Sequence, residues 1–95
     1  MATYIILSRV SPDAFVNPHN FRQLISAVSE TIKEECPGVT WKASYATLGR
    51  FDFVDVVEAE DPKEVERASM VIRSIGRSIT ETMAATPWAE FVETL

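Results

Sequence analysis

One cysteine, one histidine and three glycines are all that this 95-residue chain holds of the residues that most often build staples, metal sites and nucleotide loops. A single cysteine, Cys36, cannot form an intramolecular disulfide. With His19 as the sole histidine and no close carboxylate–histidine spacing, structural zinc is excluded. Carboxylate-only binding of a hard cation stays open, but no metal site and no cofactor are expected. The glycines, Gly38, Gly49 and Gly76, all fall at breaks between elements, and no phosphate loop, nucleophile elbow or dinucleotide fingerprint is present. A basic stripe is also missing. Nine Lys and Arg are scattered among fourteen Asp and Glu, for a net charge of −5, and the longest acidic cluster is only Glu58, Glu60 and Asp61. Neither nucleic acid nor an anionic membrane is therefore an expected partner. The apolar start, Met1 to Leu7, is short and lacks a basic leader and a cleavage site, and no run approaches the length of a bilayer span. The cytoplasm is the expected location.

What is present is ordinary globular composition. Hydrophobic residues make up 46% and charged residues 24% of the chain, which argues against disorder and for a single domain with a thin stability margin. Thr3 to Ser8 reads as a β-rich run broken by Ser11-Pro12-Asp13. Asn17-Pro18 is a helix start, since Asn caps and Pro is tolerated at the first helical position. Phe21, Leu24, Ile25, Val28 and Ile32 then recur at helical spacing until Cys36-Pro37-Gly38 ends the helix. From Val39 the period changes to two, with Val39, Trp41, Ala43 and Tyr45 alternating with Thr40, Lys42 and Ser44.

Gly49-Arg50 suits a two-residue hairpin turn before Phe51 to Val57. In that register Leu48 faces Phe51, Thr47 faces Asp52 and Tyr45 faces Val54. One face would hold Trp41, Tyr45, Thr47, Asp52, Val54 and Val56, and the other Lys42, Ser44, Phe51, Phe53, Asp55 and Val57. Asp61-Pro62-Lys63-Glu64 carries a capping-box signal ahead of Val65, Ala68, Val71, Ile72 and Ile75. Gly76 ends that helix, Ser78 to Ala84 reads as a last strand, and Thr86-Pro87 opens a short tail. In the tail Trp88, Phe91, Val92 and Leu95 share one helical face, too short to be stable unless docked. The expected division is a domain over residues 1–86 and a helical tail over 87–95.

The order strand, helix, strand, strand, helix, strand predicts an α+β, ferredoxin-like fold: a four-stranded antiparallel sheet in order 4-1-3-2 with two helices on one face. Composition supports this order. The first and third strands are nearly apolar on both faces, as central strands should be, whereas the second and fourth carry more Thr, Ser, Lys and Glu. Two helices cover only one sheet face. The other would expose apolar side chains, and the expected cover is a second copy related by a two-fold axis.

The opening Tyr4-Ile5-Ile6-Leu7, the block Tyr45-Ala46-Thr47-Leu48-Gly49-Arg50-Phe51-Asp52-Phe53-Val54, the run Val57-Glu58-Ala59 and Thr80-Glu81-Thr82 together resemble the GYD-domain family. The signature Gly-Tyr-Asp region stands here as Gly49-Arg50-Phe51-Asp52, with Phe51 where a tyrosine is often found. The resemblance implies a ferredoxin-like fold similar to the dimeric α+β barrel proteins, and no activity, because the family is largely of unassigned function. A role resting on the missing hydroxyl would not carry over.

Candidate chemistry is sparse. His19, beside Pro18 at a helix start, reads as a solvated first-turn residue. Cys36 sits at a helix C-terminus with Glu34 and Glu35, where the dipole and the charges oppose a thiolate, so it reads as structural. Asp55 and Glu81 stand at apolar strand parities, where a carboxylate needs a partner. For Asp55 the expected partner is Lys42, and Glu81 reads equally as an edge-strand charge or a site residue. Tyr45, Thr47, Arg50 and Asp52 gather a phenol, a hydroxyl, a cation and an acid at one end of the sheet. With Trp41 and Glu81 they form the candidate set for a small polar or aromatic ligand. The leading expectation is a small-molecule-binding homo-oligomer. The alternatives are a cofactor-independent oxygenase or isomerase of the dimeric α+β barrel type, and an accessory subunit docking through its tail.

Overall fold

The structure, a computed structural model, describes residues 1–15 and 17–95. Its elements are β1 (Ala2–Val10), a 3-10 turn (Pro12–Phe15), α1 (Pro18–Glu35), β2 (Thr40–Ala46), β3 (Phe53–Ala59), α2 (Pro62–Ser74), β4 (Ser78–Ala85) and α3 (Trp88–Glu93). The sheet order is β2-β3-β1-β4, which is the expected order read from its other edge. All three strand pairs are antiparallel.

Both long helices start where the capping residues put them. Asn17 Oδ1 accepts from His19 N at 2.9 Å, and Asp61 Oδ1 accepts from Lys63 N at 2.9 Å; each satisfies a backbone donor the helix itself cannot. Glu64 turns its carboxylate toward Gly38, at the end of α1, where Oε2 is buried without a hydrogen-bond partner. Gly76 lies against the last turn of α2. A Cβ there would sit 2.4 Å from the Ile72 carbonyl oxygen, so only glycine lets the chain turn this closely into β4. Arg77 follows with φ of 52° and is tied to the 3-10 turn by an ion pair with Asp13 and by its carbonyl, which accepts from Ser11 N at 3.0 Å.

The core lies between the sheet and the two long helices. Ile6 from β1, Val57 and Ala59 from β3, Val28 and Ile32 from α1, and Val65, Ala68, Val71 and Ile72 from α2 are buried together with Cys36. Helix α2 lies over β4, β1 and β3, and Ser69 Oγ and Thr82 Oγ1 share a hydrogen bond of 2.8 Å across that contact. Helix α1 packs beside α2.

Two local expectations are corrected. The pairing of Tyr45 with Val54 holds, and Thr47 N donates to the Asp52 carbonyl at 2.9 Å. The strands nonetheless end at Ala46 and Phe53, and Leu48, Gly49 and Arg50 form an open bend in place of a two-residue turn. Gly49, at φ of 125°, occupies a backbone conformation that side chains disfavour. The second correction is a register shift between Trp41 and Ala43. A bulge of this kind adds one residue to an edge strand and reverses the facing of what precedes it. Trp41 therefore pairs with Val57 and packs against the core instead of joining Tyr45.

Candidate functional site

The sheet defines three surfaces that could carry function, beside the exposed apolar side chains of α3. The first is its open face. Ile5 and Leu7 of β1 and Val54 and Val56 of β3 form a half-buried apolar centre. Tyr45, Ile79 and Met83 flank it at 60%, 68% and 44% exposure. The row Tyr45, Val54, Leu7, Glu81 crosses all four strands on this face. Tyr45 and Glu81 thus sit at opposite edges, three strand spacings or about 14 Å apart, and one chain does not bring them together.

The second is the hairpin end. Asp52 Oδ2 accepts from Val10 N at 2.8 Å, and Asp52 N donates to the Ser8 carbonyl at 2.8 Å. Thr47 Oγ1 donates to the Phe51 carbonyl at 2.7 Å. The Arg50 guanidinium lies 5.9 Å from the Phe51 ring centre, within cation–π range. Asp52 and Thr47 thus brace the loop against β1, with their polar atoms engaged by backbone.

The third is a cleft of about 770 Å³ between α1 and the sheet. Val10, Val28, Ile32, Val39, Phe53 and Ile72 supply most of its walls, Trp41 and Tyr45 line it from the edge strand, and Lys33 belongs to α1 beside it. Phe21, near the start of α1, stacks on Phe53 with ring centres 6.0 Å apart. Asp55 is the carboxylate of the cleft. It pairs not with Lys42, as expected, but with Trp41 Nε1 at 3.1 Å and Ser44 Oγ at 2.6 Å. The bulge is the reason, because it sends Lys42 to the other face, where it meets Glu58 at 3.9 Å. Ser8 also lines the cleft; it is 2% exposed, and its hydroxyl has no hydrogen-bond partner. An unpaired buried hydroxyl costs about 1–3 kcal/mol.

Sequence reasoning named Trp41, Tyr45 and Asp55 but missed Ser8 and Ser44. The available signal was Ser8 itself, a polar residue at the inward parity of Ile6 and Val10. His19 is exposed in the first turn of α1, beside Gln23. Among the described residues, no group of three His, Cys, Asp or Glu side chains is placed to hold a metal ion, and no helix is long and apolar enough to cross a membrane.

Cys36 is 1% exposed. Burial first, then the Glu64 and Glu35 carboxylates, push its thiol above the ordinary value, with Arg67 opposing. Its folded-state value is raised, so its contribution to stability is complete below the ordinary thiol value and fades as pH rises through the raised one. Iodoacetamide at pH 8 should label the native protein on the order of 100-fold more slowly than the urea-unfolded chain. Equal rates would show that Cys36 is open to solvent.

This architecture defines a ferredoxin-like α+β protein with one face of its sheet left open. The chain belongs to the GYD domain family, whose model matches residues 4–95. It is 37% identical over 95 residues to the glutamine synthetase and cystathionine beta-lyase binding protein of Thermus thermophilus, covering 100% of this chain and 99% of that one. Among solved structures it resembles the leucine response regulatory protein LrpA of Mycobacterium tuberculosis, with a TM-score of 0.61 at 14% identity over 90% of this chain; it spans only 51% of LrpA. It also resembles FFRP-DM1, with a TM-score of 0.59 at 23% identity, covering 90% of this chain and 100% of that one. At these identities the structural likenesses speak for the fold alone.

Proposed function

We propose that this chain is a non-catalytic binding protein of the cytoplasm: a homo-oligomer joined through its open sheet face that docks onto protein partners through α3. The observation that carries this reading is apolar surface without cover. The centre of the open face is apolar across both middle strands. On α3 Trp88, Phe91, Val92 and Leu95 are exposed at 75%, 43%, 43% and 87%. Contiguous apolar surface of this kind normally marks an interface. A six-residue helix whose apolar side chains face solvent gains its stability only when a partner covers it. The two surfaces suit different occupants. The sheet face has an apolar centre across both middle strands, which a second copy related by a two-fold axis can cover with the same patch. The tail helix presents a Trp88–Phe91 ring pair with centres 5.8 Å apart, the residue types that anchor protein interfaces.

The relative's printed name supplies the class of partner, namely enzymes, with glutamine synthetase and cystathionine beta-lyase as the first two to test. Both enzymes from the same host, immobilised separately, should capture the full chain with a Kd in the micromolar range or tighter. Removing residues 88–95 should abolish that capture while leaving the sheet intact. If neither enzyme binds, the assignment of partners fails; if the truncated chain binds as well as the full one, α3 is not the docking element.

The α1–sheet cleft favours a second reading, a small-molecule site within the same binding protein. It uses Trp41 and Tyr45 from the candidate set and leaves Thr47, Arg50, Asp52 and Glu81 outside its walls.

A further inference from the structure

The geometry points to the cleft between α1 and the sheet as a binding site for a small neutral hydroxyaromatic molecule. The cleft lies on the covered face, so this inference and the docking surfaces of the open face and α3 stand or fall separately. At about 770 Å³ the cleft falls within the range of roughly 300–1,000 Å³ that small-molecule sites occupy.

Its walls are apolar except at two places, and these define the ligand. The first is Ser8 Oγ, almost wholly buried in the cleft wall with no partner. The second is Asp55. Trp41 Nε1 and Ser44 Oγ both donate to Oδ1, which fixes the carboxylate as an acceptor, and no described hydrogen bond uses Oδ2. Ser8 stands opposite Phe53 on β3, and Asp55 is two residues further along that strand. The two are therefore diagonal neighbours, with backbones about 7–8 Å apart and within reach of one small ligand.

Asp55 Oδ2 can accept from a ligand donor and the buried Ser8 hydroxyl is satisfied by an acceptor; a ligand hydroxyl offers both. A purely apolar molecule would leave the Ser8 hydroxyl unpaired and shield Asp55 Oδ2 from water. An anion would face the Asp55 carboxylate across apolar walls, and a cation would meet Lys33 at the cleft. Phe53 and Trp41 line the space, and aromatic neighbours favour an aromatic guest through offset or edge-on ring contacts.

The test is a titration of the isotope-labelled full chain, followed by amide and indole NMR shifts, with four probes on one scaffold: 2-naphthol, naphthalene, 2-naphthoate and 2-naphthylmethylamine. The expected result is saturable binding of 2-naphthol that moves the Trp41 indole N–H and the Ser8 and Ser44 amides. Naphthalene and the two charged probes should bind at least about tenfold more weakly, since a site built around hydrogen bonds rejects the analogue that cannot make them. Ser8→Ala and Asp55→Asn should each weaken 2-naphthol by about tenfold. Ser29→Trp, at an exposed α1 position lining the cleft, should block it. Asp55→Asn also loosens the bonds to Trp41 and Ser44 that hold β2; Ser8→Ala removes only an unpaired hydroxyl, keeps the fold and decides the matter alone. The inference is overturned by naphthalene binding as tightly as 2-naphthol, by Ser8→Ala leaving 2-naphthol affinity unchanged, or by no saturable shift at Trp41 with any probe. Shifts confined to Val54 and Met83 would move the site to the open face and overturn it equally.

Discussion

Ile6→Ala lowers the melting temperature by roughly 8–40 °C at fixed protein concentration and leaves the oligomeric state unchanged. Ile6 is fully buried at the centre of the core. It sits on β1 between Asp55 of β3 and Thr82 of β4, beneath the helices. Truncating a buried isoleucine to alanine costs about 2–5 kcal/mol, because transferred surface is lost and a cavity remains. In a domain of this size each kcal/mol moves the midpoint by about 4–8 °C. Total stability is only about 5–15 kcal/mol, so one such change removes a large share of it. Differential scanning calorimetry of both proteins at equal concentration checks the expectation. A shift below about 3 °C would mean that this site collapses freely and is not the packed centre described.

Ile5→Glu has the opposite signature. Ile5, next to Ile6 in sequence, faces the other side of the sheet, between Val56 and Met83. In a lone chain a glutamate at this half-buried position still reaches water and costs about 1 kcal/mol, much of it lost strand propensity. Across a two-fold interface it would be buried twice, with Glu81 and Glu58 of each copy nearby on the same face. Burying an unpaired carboxylate is costly enough to break such a contact. The expected outcome is a monomer by sedimentation velocity at concentrations where the parent chain is a dimer, with far-UV circular dichroism retained. A variant that still dimerises would show that the open face is not where the copies meet.

The contrast between these adjacent residues shows what a linear reading captures well. Apolar composition on both faces assigned β1 to a central position, and Asn17-Pro18 and Asp61-Pro62 marked both helix starts, because caps are local chemistry. The register placing Tyr45 opposite Val54 was legible for the same reason. The facing of Trp41 was not. The bulge that turns it inward adds one residue to an edge strand, and nothing in Trp41-Lys42-Ala43 marks it, such as a glycine. From that single shift follow the partners of Asp55, the Lys42–Glu58 pair and the polar content of the cleft. The cleft itself was out of reach for another reason. It depends on how α1 settles beside α2, a tertiary outcome that hydrophobic spacing along one helix does not specify.

The candidate set divides on the same line. Thr47 and Asp52 were grouped by strand parity, and the structure shows their polar atoms engaged in bracing the loop to β1 and to Phe51. Tyr45 and Glu81 share a row yet sit on opposite edge strands. Parity reports which face a residue occupies, not how far along that face its companions lie.

The account rests most directly on the open sheet face as a contact between copies, and native mass spectrometry of the full chain at about 10 µM tests it in one reading. It predicts a dimer or larger species built from the 10.6 kDa chain, converting to monomer on Ile5→Glu. A parent protein that stays at the mass of one chain would contradict it, and the apolar face of the sheet would then need a different occupant.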